Sequence, residues 1–292
     1  MITSMENELV RVQASSLGAE LQSIVLKKDG TEYLWQGDPA YWKGRAYNLF
    51  PICGRLWNGQ YTYAGRTYEM NLHGFARKSE MVVAEQSPEQ LVYRLESSEK
   101  TLAQYPFRFV FTVAYRIADT KLSITLGVEN RDEKPMIFAV GGHPGFNVPF
   151  GGKGAFTDYE LEFGQPGHVK AIAMSSDCYT TEHFVMLPLR NGNVLPLRHE
   201  MFDNDALLLT DMGHSVTLRA PGTAKFLRME FPDMNYLGVW HAPKTEAPYV
   251  CIEPWTSVPA MHGRVDALED KRAMLTLAPG EKYENTYTIT VG

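Results

Sequence analysis

Residues 109–117 read FVFTVAYRI, and residues 122–129 read LSITLGVE. Phe109, Phe111, Val113, Tyr115 and Ile117 take alternate places in the first run, and Leu122, Ile124, Leu126 and Val128 do so in the second. Successive side chains of a strand point to opposite faces, so each run has one apolar face to bury. The polar ADTK between them turns the chain straight back, which predicts an antiparallel hairpin. The same period recurs outward from this pair. Tyr287, Ile289 and Val291 alternate with Thr286, Thr288 and Thr290 after the turn Ala278-Pro279-Gly280. Lys28-Asp29-Gly30-Thr31 and Trp57-Asn58-Gly59-Gln60 read as tight hairpin turns, because Asn and Gly tolerate positive φ. No stretch shows the i, i+3, i+4, i+7 spacing of a long amphipathic helix. The expected fold is all-β: a large antiparallel β-sandwich forming one domain over residues 1–292. Gly151-Gly152-Lys153-Gly154 reads as a loop within it.

Composition narrows the function classes. The 292 residues carry a formal charge of -6 with no long run of either sign, so nucleic acid and anionic membranes are poor partners. No segment approaches the roughly 20 apolar residues that span a bilayer. The start, MITSMENELVRV, lacks the basic and apolar regions of a secretion signal. Cys53, Cys178 and Cys251 are odd in number, far apart and without a CxxC pair, which suits reduced thiols in a cytoplasmic protein. GxSxG, P-loop, GxGxxG and HExxH motifs are absent.

Four stretches place polar groups in glycine-, proline- or aromatic-rich settings: FPICGR (50–55), NLHGFAR (71–77), GGHPGF (141–146) and YVCIEPW (249–255). Pro144 pushes His143 toward extended backbone, and Gly141 and Gly142 allow a turn or a close approach. His143 is then either a turn histidine bonded to a carbonyl or a group that moves a proton near neutral pH. Glu253 follows three apolar residues. It either pairs with an arginine on a neighbouring strand or has a raised pKa and serves as a base. His73 has a similar setting, and Arg55 and Arg77 are candidate hydrogen-bonding clamps. Trp240, Trp255 and Phe75 lie near these groups in sequence, and a flat ring suits the apolar face of a sugar, although most such rings are core. His199-Glu200 and Glu182-His183 read as surface pairs. His73, His143 and Glu253 lack metal-ligand spacing.

Taken together, FPICGRLWNGQYTYAGRTYEMNLHGFAR, GGHPGFNVPF, FDNDALLL and VCIEPW, in that order from about residue 50 to 255, resemble the aldose 1-epimerase (galactose mutarotase) family, in its bacterial mutarotase-like branch. The resemblance implies a supersandwich fold with a sugar in an open cleft and no metal or cofactor. It implies His143 as general acid, Glu253 as general base, Arg55 and His73 as sugar-binding residues, and Asp205 as a ligand of sugar hydroxyls. Asp203 and Asp211 compete for the last role. The run His73-Gly74-Phe75-Ala76-Arg77 departs from galactose mutarotases, which have two glycines after this histidine. It is similar to hexose-6-phosphate epimerases, in which an arginine here helps to hold phosphate. The implied reaction is interconversion of hexose anomers. The alternatives are a hexose-6-phosphate 1-epimerase and a non-catalytic sugar-binding protein on the same fold.

Overall fold

The computed structural model describes every residue except Ser176. The predicted hairpin forms its centre. Phe109–Ala118 pairs with Lys121–Asn130 from Phe109↔Asn130 to Ala118↔Lys121, and the turn residue Asp119 has a φ of 52°. Tyr115 faces Ile124, Val113 faces Leu126 and Phe111 faces Val128, all fully buried. Burying each such side chain contributes about 1.5–3 kcal/mol before the chain-entropy cost. The pair therefore anchors one sheet of the core.

That sheet has nine strands. In spatial order they are Val194–Pro196, Glu160–Phe163, Ser215–Arg219, Phe226–Glu230, Lys282–Val291, Lys121–Asn130, Phe109–Ala118, Gln90–Glu96 and Val82–Gln86. A seven-stranded sheet runs Thr180–Val185, Lys170–Met174, Leu207–Thr210, Tyr236–Trp240, Tyr249–Trp255, Gly141–Asn147 and Ala46–Leu49. All the strand pairs in both sheets are antiparallel. A four-stranded sheet covers Ile2–Glu6, Val10–Ser15, Leu21–Leu26 and Thr31–Glu32. The two large sheets bury one shared apolar core, with Tyr287 and Ile289 of the C-terminal strand in it.

The Lys28–Thr31 turn joins two paired strands as expected. The Asn58-Gly59 turn does not make a hairpin. Both residues have positive φ, but they close a one-turn 3₁₀ segment, Trp57–Gly59. The hairpin that follows, Gln60–Tyr63 with Arg66–Glu69, turns at Ala64-Gly65. The local signal marked the backbone conformation correctly, while the pairing partners were set by the next strand. Residues 150–152 form a 3₁₀ turn in the Gly151–Gly154 loop. Among the described residues, no helix is long and apolar enough to cross a membrane.

Candidate active site

GGHPGF is neither turn nor loop. It lies in Gly141–Asn147, a strand between Ala46–Leu49 and Tyr249–Trp255. Three glycines clear the space around it. A Cβ on Gly142 would lie 2.4 Å from the Tyr287 hydroxyl on the core side. On the side His143 shares, a Cβ on Gly141 would meet Trp255 at 2.6 Å and one on Gly145 would meet Trp42 at 3.0 Å. Glycine is needed here so that aromatic rings can lie against the strand.

The register does the rest. Gly141 pairs with Trp255 and Gly145 with Cys251, which puts His143 opposite Glu253. On the other side His143 pairs with Tyr47. Residues 110 positions apart thus meet: His143 Nε2 lies 3.3 Å from a Glu253 carboxylate oxygen, with both side chains buried. The turn-histidine reading does not hold, because His143 lies in a paired strand and, among the described residues, its Nδ1 has no hydrogen-bond partner. Nor does the Glu–Arg reading, because the partner of Glu253 is this histidine.

Burial dominates the electrostatics of the pair. It pushes the His143 pKa down to about 3, helped by the Arg77 charge. It holds Glu253 well above the usual carboxylate range, helped by the Asp205 charge. Desolvation disfavours both ions, so burial favours a neutral carboxylic acid facing a neutral imidazole, with one proton for the two groups.

His73 enters from the loop before the 3₁₀ turn Ala76–Lys78. Its backbone N–H donates to the Gly54 carbonyl at 2.8 Å, and the Gly54 N–H donates to His73 Nδ1 at 3.0 Å. With Nδ1 accepting, the neutral ring carries its proton on Nε2 and is a donor there. Burial, then the neighbouring His143, Arg77 and Arg55, keep its pKa well below the ordinary value, so it stays neutral.

A cleft of about 250 Å³ opens over these groups. Its lining includes Arg55, Arg77, Asp205, Trp42, Tyr47 and Trp240 besides His73, His143 and Glu253. Asp205 sits 3.4 Å from the Arg55 guanidinium, whereas Asp203 and Asp211 are exposed outside the cleft. Arg77 donates from Nε to the Leu72 carbonyl, and its guanidinium lies 4.9 Å over the Tyr47 ring. Trp240 and Trp255 line the cleft, but Phe75 packs in the core against Phe50 and Phe109. Nearby positions on a tight turn can face opposite ways, so nearness to His73 in sequence did not carry Phe75 into the site.

Trp42, Tyr47 and Cys178 are cleft residues that sequence reading passed over. Tyr47 shares the face of His143 through strand pairing alone, and no local pattern marks that. His199 is half-buried: it stacks on Phe156 and reaches the buried His241 at 3.1 Å, while Glu200 is exposed. His143, Cys251 and Glu253 each bring one donor atom within 4.8 Å of the others. Burial and the neighbouring Glu253 raise the Cys251 thiol well above its ordinary pKa.

The family model described as Aldose 1-epimerase matches residues 1–290. The chain belongs to the aldose 1-epimerase family. Its relatives include the chromosomal protein LacX of Lactococcus lactis, 32% identical, with 100% of this chain and 99% of that protein aligned. A solved galactose mutarotase related enzyme from Lactobacillus acidophilus is 32% identical with a TM-score of 0.95, over 100% of this chain and 97% of that one. The galactose 1-epimerase of the same species, at 14% identity and a TM-score of 0.68 over 99% and 93% of the two chains, shares the fold. The antiparallel β-sandwich of this aldose 1-epimerase family member is the one expected from its strand periodicity, and its mutarotase-like form is the one the resemblance implies.

Proposed function

We propose that this family member is an aldose 1-epimerase that interconverts the α and β anomers of a hexose. The observation that carries the reading is the His143–Glu253 couple facing at 3.3 Å on the floor of a cleft, next to the Nε2–H donor of His73. A pure sugar binder has no use for a buried acid–base couple.

For ring opening, the proton of the couple passes from Glu253 to His143, and Glu253, now a carboxylate, takes the proton of the C1 hydroxyl. C1 becomes a carbonyl, the C1–O5 bond breaks, and its electron pair stays on O5. His143 as imidazolium protonates O5. Glu253 is then a neutral acid and His143 a neutral imidazole, the protonation state that burial favours at rest. After rotation about C1–C2, the same two groups run the closure in reverse. Only one proton moves between the partners, so none need come from solvent. His73 donates from Nε2 toward the ring oxygen, and Arg55 and Asp205 hold sugar hydroxyls at the rim.

The shared proton sets the pH dependence. Activity is expected to stay level while the couple holds one proton. It falls at low pH when a second proton adds. Because burial pulls His143 down to about 3, that acid limb lies below the ordinary imidazole value. It falls at high pH when the couple loses its proton, and the raised Glu253 places that limb above the usual carboxylate value. Polarimetric kcat/KM across the pH range checks this. An acid limb centred near 6.5 would contradict the neutral resting couple.

A second reading rests on Arg77. A guanidinium lining the cleft suits a bidentate contact to phosphate. The test compares enzyme-catalysed mutarotation of freshly dissolved glucose, galactose and glucose 6-phosphate against buffer. Acceleration of the free hexoses is expected. A strong preference for the phosphate ester would make Arg77 a phosphate ligand. Binding without acceleration of any sugar would sink the epimerase reading in favour of a binding protein.

A further inference from the structure

An imidazole that moves protons needs a fixed ring. A hydrogen bond from its other nitrogen to a carbonyl or carboxylate commonly fixes it. Among the described residues His143 lacks that bond, since its Nδ1 is buried without a partner. The ring instead lies on Trp42, with centroids 5.0 Å apart and planes 28° apart. Its other sides are walled by Tyr47 at 5.9 Å, His73 at 5.2 Å and Trp240 at 5.8 Å, all edge-on.

Trp42 is itself well anchored. Its backbone N–H donates to the Asp38 carbonyl at 2.9 Å, and its own carbonyl accepts the Trp35 indole N–H at 2.9 Å. Cβ atoms at residues 44 and 145 would come within 2.6 Å and 3.0 Å of its six-membered ring. Gly44 and Gly145 together leave a slot in which the indole lies flat over the strand that carries His143.

We propose that Trp42 is a positioning residue for His143: its indole face replaces the missing hydrogen bond in orienting the imidazole and stabilises the ring when it is protonated. A cation over the face of a tryptophan is attracted by the ring quadrupole, most strongly where water is excluded. The titratable and charged groups facing the ring are Glu253 and Cys251 from one flanking strand, Tyr47 from the other, and His73 and Arg77 from the loop 71–78. Glu253 approaches Nε2 at 3.3 Å, and none of these groups partners Nδ1. Burial alone makes the imidazolium costly, and the indole face offsets part of that cost.

The inference rests on the epimerase reading for its kinetic consequence but not for its direct test. Trp42→Leu is expected to lower kcat between about 2-fold and 30-fold, the range of a cation–π contact, with KM nearly unchanged and the acid limb moved to lower pH. Trp42→Phe, which keeps an aromatic face, should recover much of the loss. A rise in KM alone would assign Trp42 to the sugar and overturn the proposal, as would equal losses in the Phe and Leu variants. Long-range ¹⁵N–¹H spectra of His143 supply a readout independent of turnover. The His143 titration should move to lower pH in Trp42→Leu and stay near the wild-type position in Trp42→Phe; no movement in the Leu variant overturns the proposal. If wild-type protein accelerates no mutarotation, the epimerase reading fails, while the titration still decides the role of Trp42.

Discussion

Replacing Glu253 by glutamine is expected to cost roughly 10²- to 10⁴-fold in kcat, the range for losing one general acid–base group. Glutamine matches glutamate in shape and still hydrogen-bonds to His143, but it accepts no proton from a hydroxyl. Folding should survive. The strand Tyr249–Trp255 is buried along its whole length, and the substitution leaves its volume unchanged. Stability adds a second readout. The pKa of Glu253 is raised in the folded state, so the folded chain keeps a proton that the unfolded chain releases above about 4.3. Its contribution to stability therefore falls as pH rises from the unfolded value toward the folded one. A glutamine side chain does not titrate, so the Glu253→Gln variant should gain Tm relative to wild type as pH is raised from 4 to 7. Near-full activity in polarimetry would remove Glu253 from the mechanism.

His143→Ala should show a loss of similar size, again about 10²- to 10⁴-fold. The two groups work as one couple, so the double variant should be little slower than either single one. Independent roles would instead multiply the two losses. The pH effect on stability has the opposite sign to that of Glu253. Burial depresses the imidazole pKa to about 3, so between pH 3 and the unfolded value near 6.5 only the unfolded chain binds the proton. The wild type therefore loses stability as pH falls through that window, and His143→Ala should lose less. The variant also gives up the stack on Trp42, so its Tm at neutral pH should be somewhat lower. Thermal melts at pH 5 and pH 8 separate these two effects.

Much of the molecule was legible before any coordinates. The runs at 109–117 and 122–129 showed which side chains to bury, and each of the nine alternating residues is buried. His143, Glu253, His73, Arg55, Arg77, Asp205 and Trp240 were all nominated from sequence and all line one cleft. Most of that nomination came from resemblance, since local sequence left His143 and Glu253 each with a structural alternative. Phe75, which sequence left as either a sugar-facing ring or core, is core, and Trp42 and Tyr47 were missed.

The division has a physical cause. Period-two alternation is a local property: it records which face of a strand is buried and predicts a sheet wherever it repeats. Strand neighbours are chosen by packing between segments far apart in the chain, which alternation does not encode. The pairing of Gly141 with Trp255 and of His143 with Tyr47 belongs to that second level. Sequence by itself determined that this protein is an antiparallel β-sandwich and nominated the residues proposed to carry its chemistry. Only the tertiary structure decided that His143 and Glu253 meet across paired strands, where burial disfavours both charged forms, and that an indole stacks on the face of the imidazole.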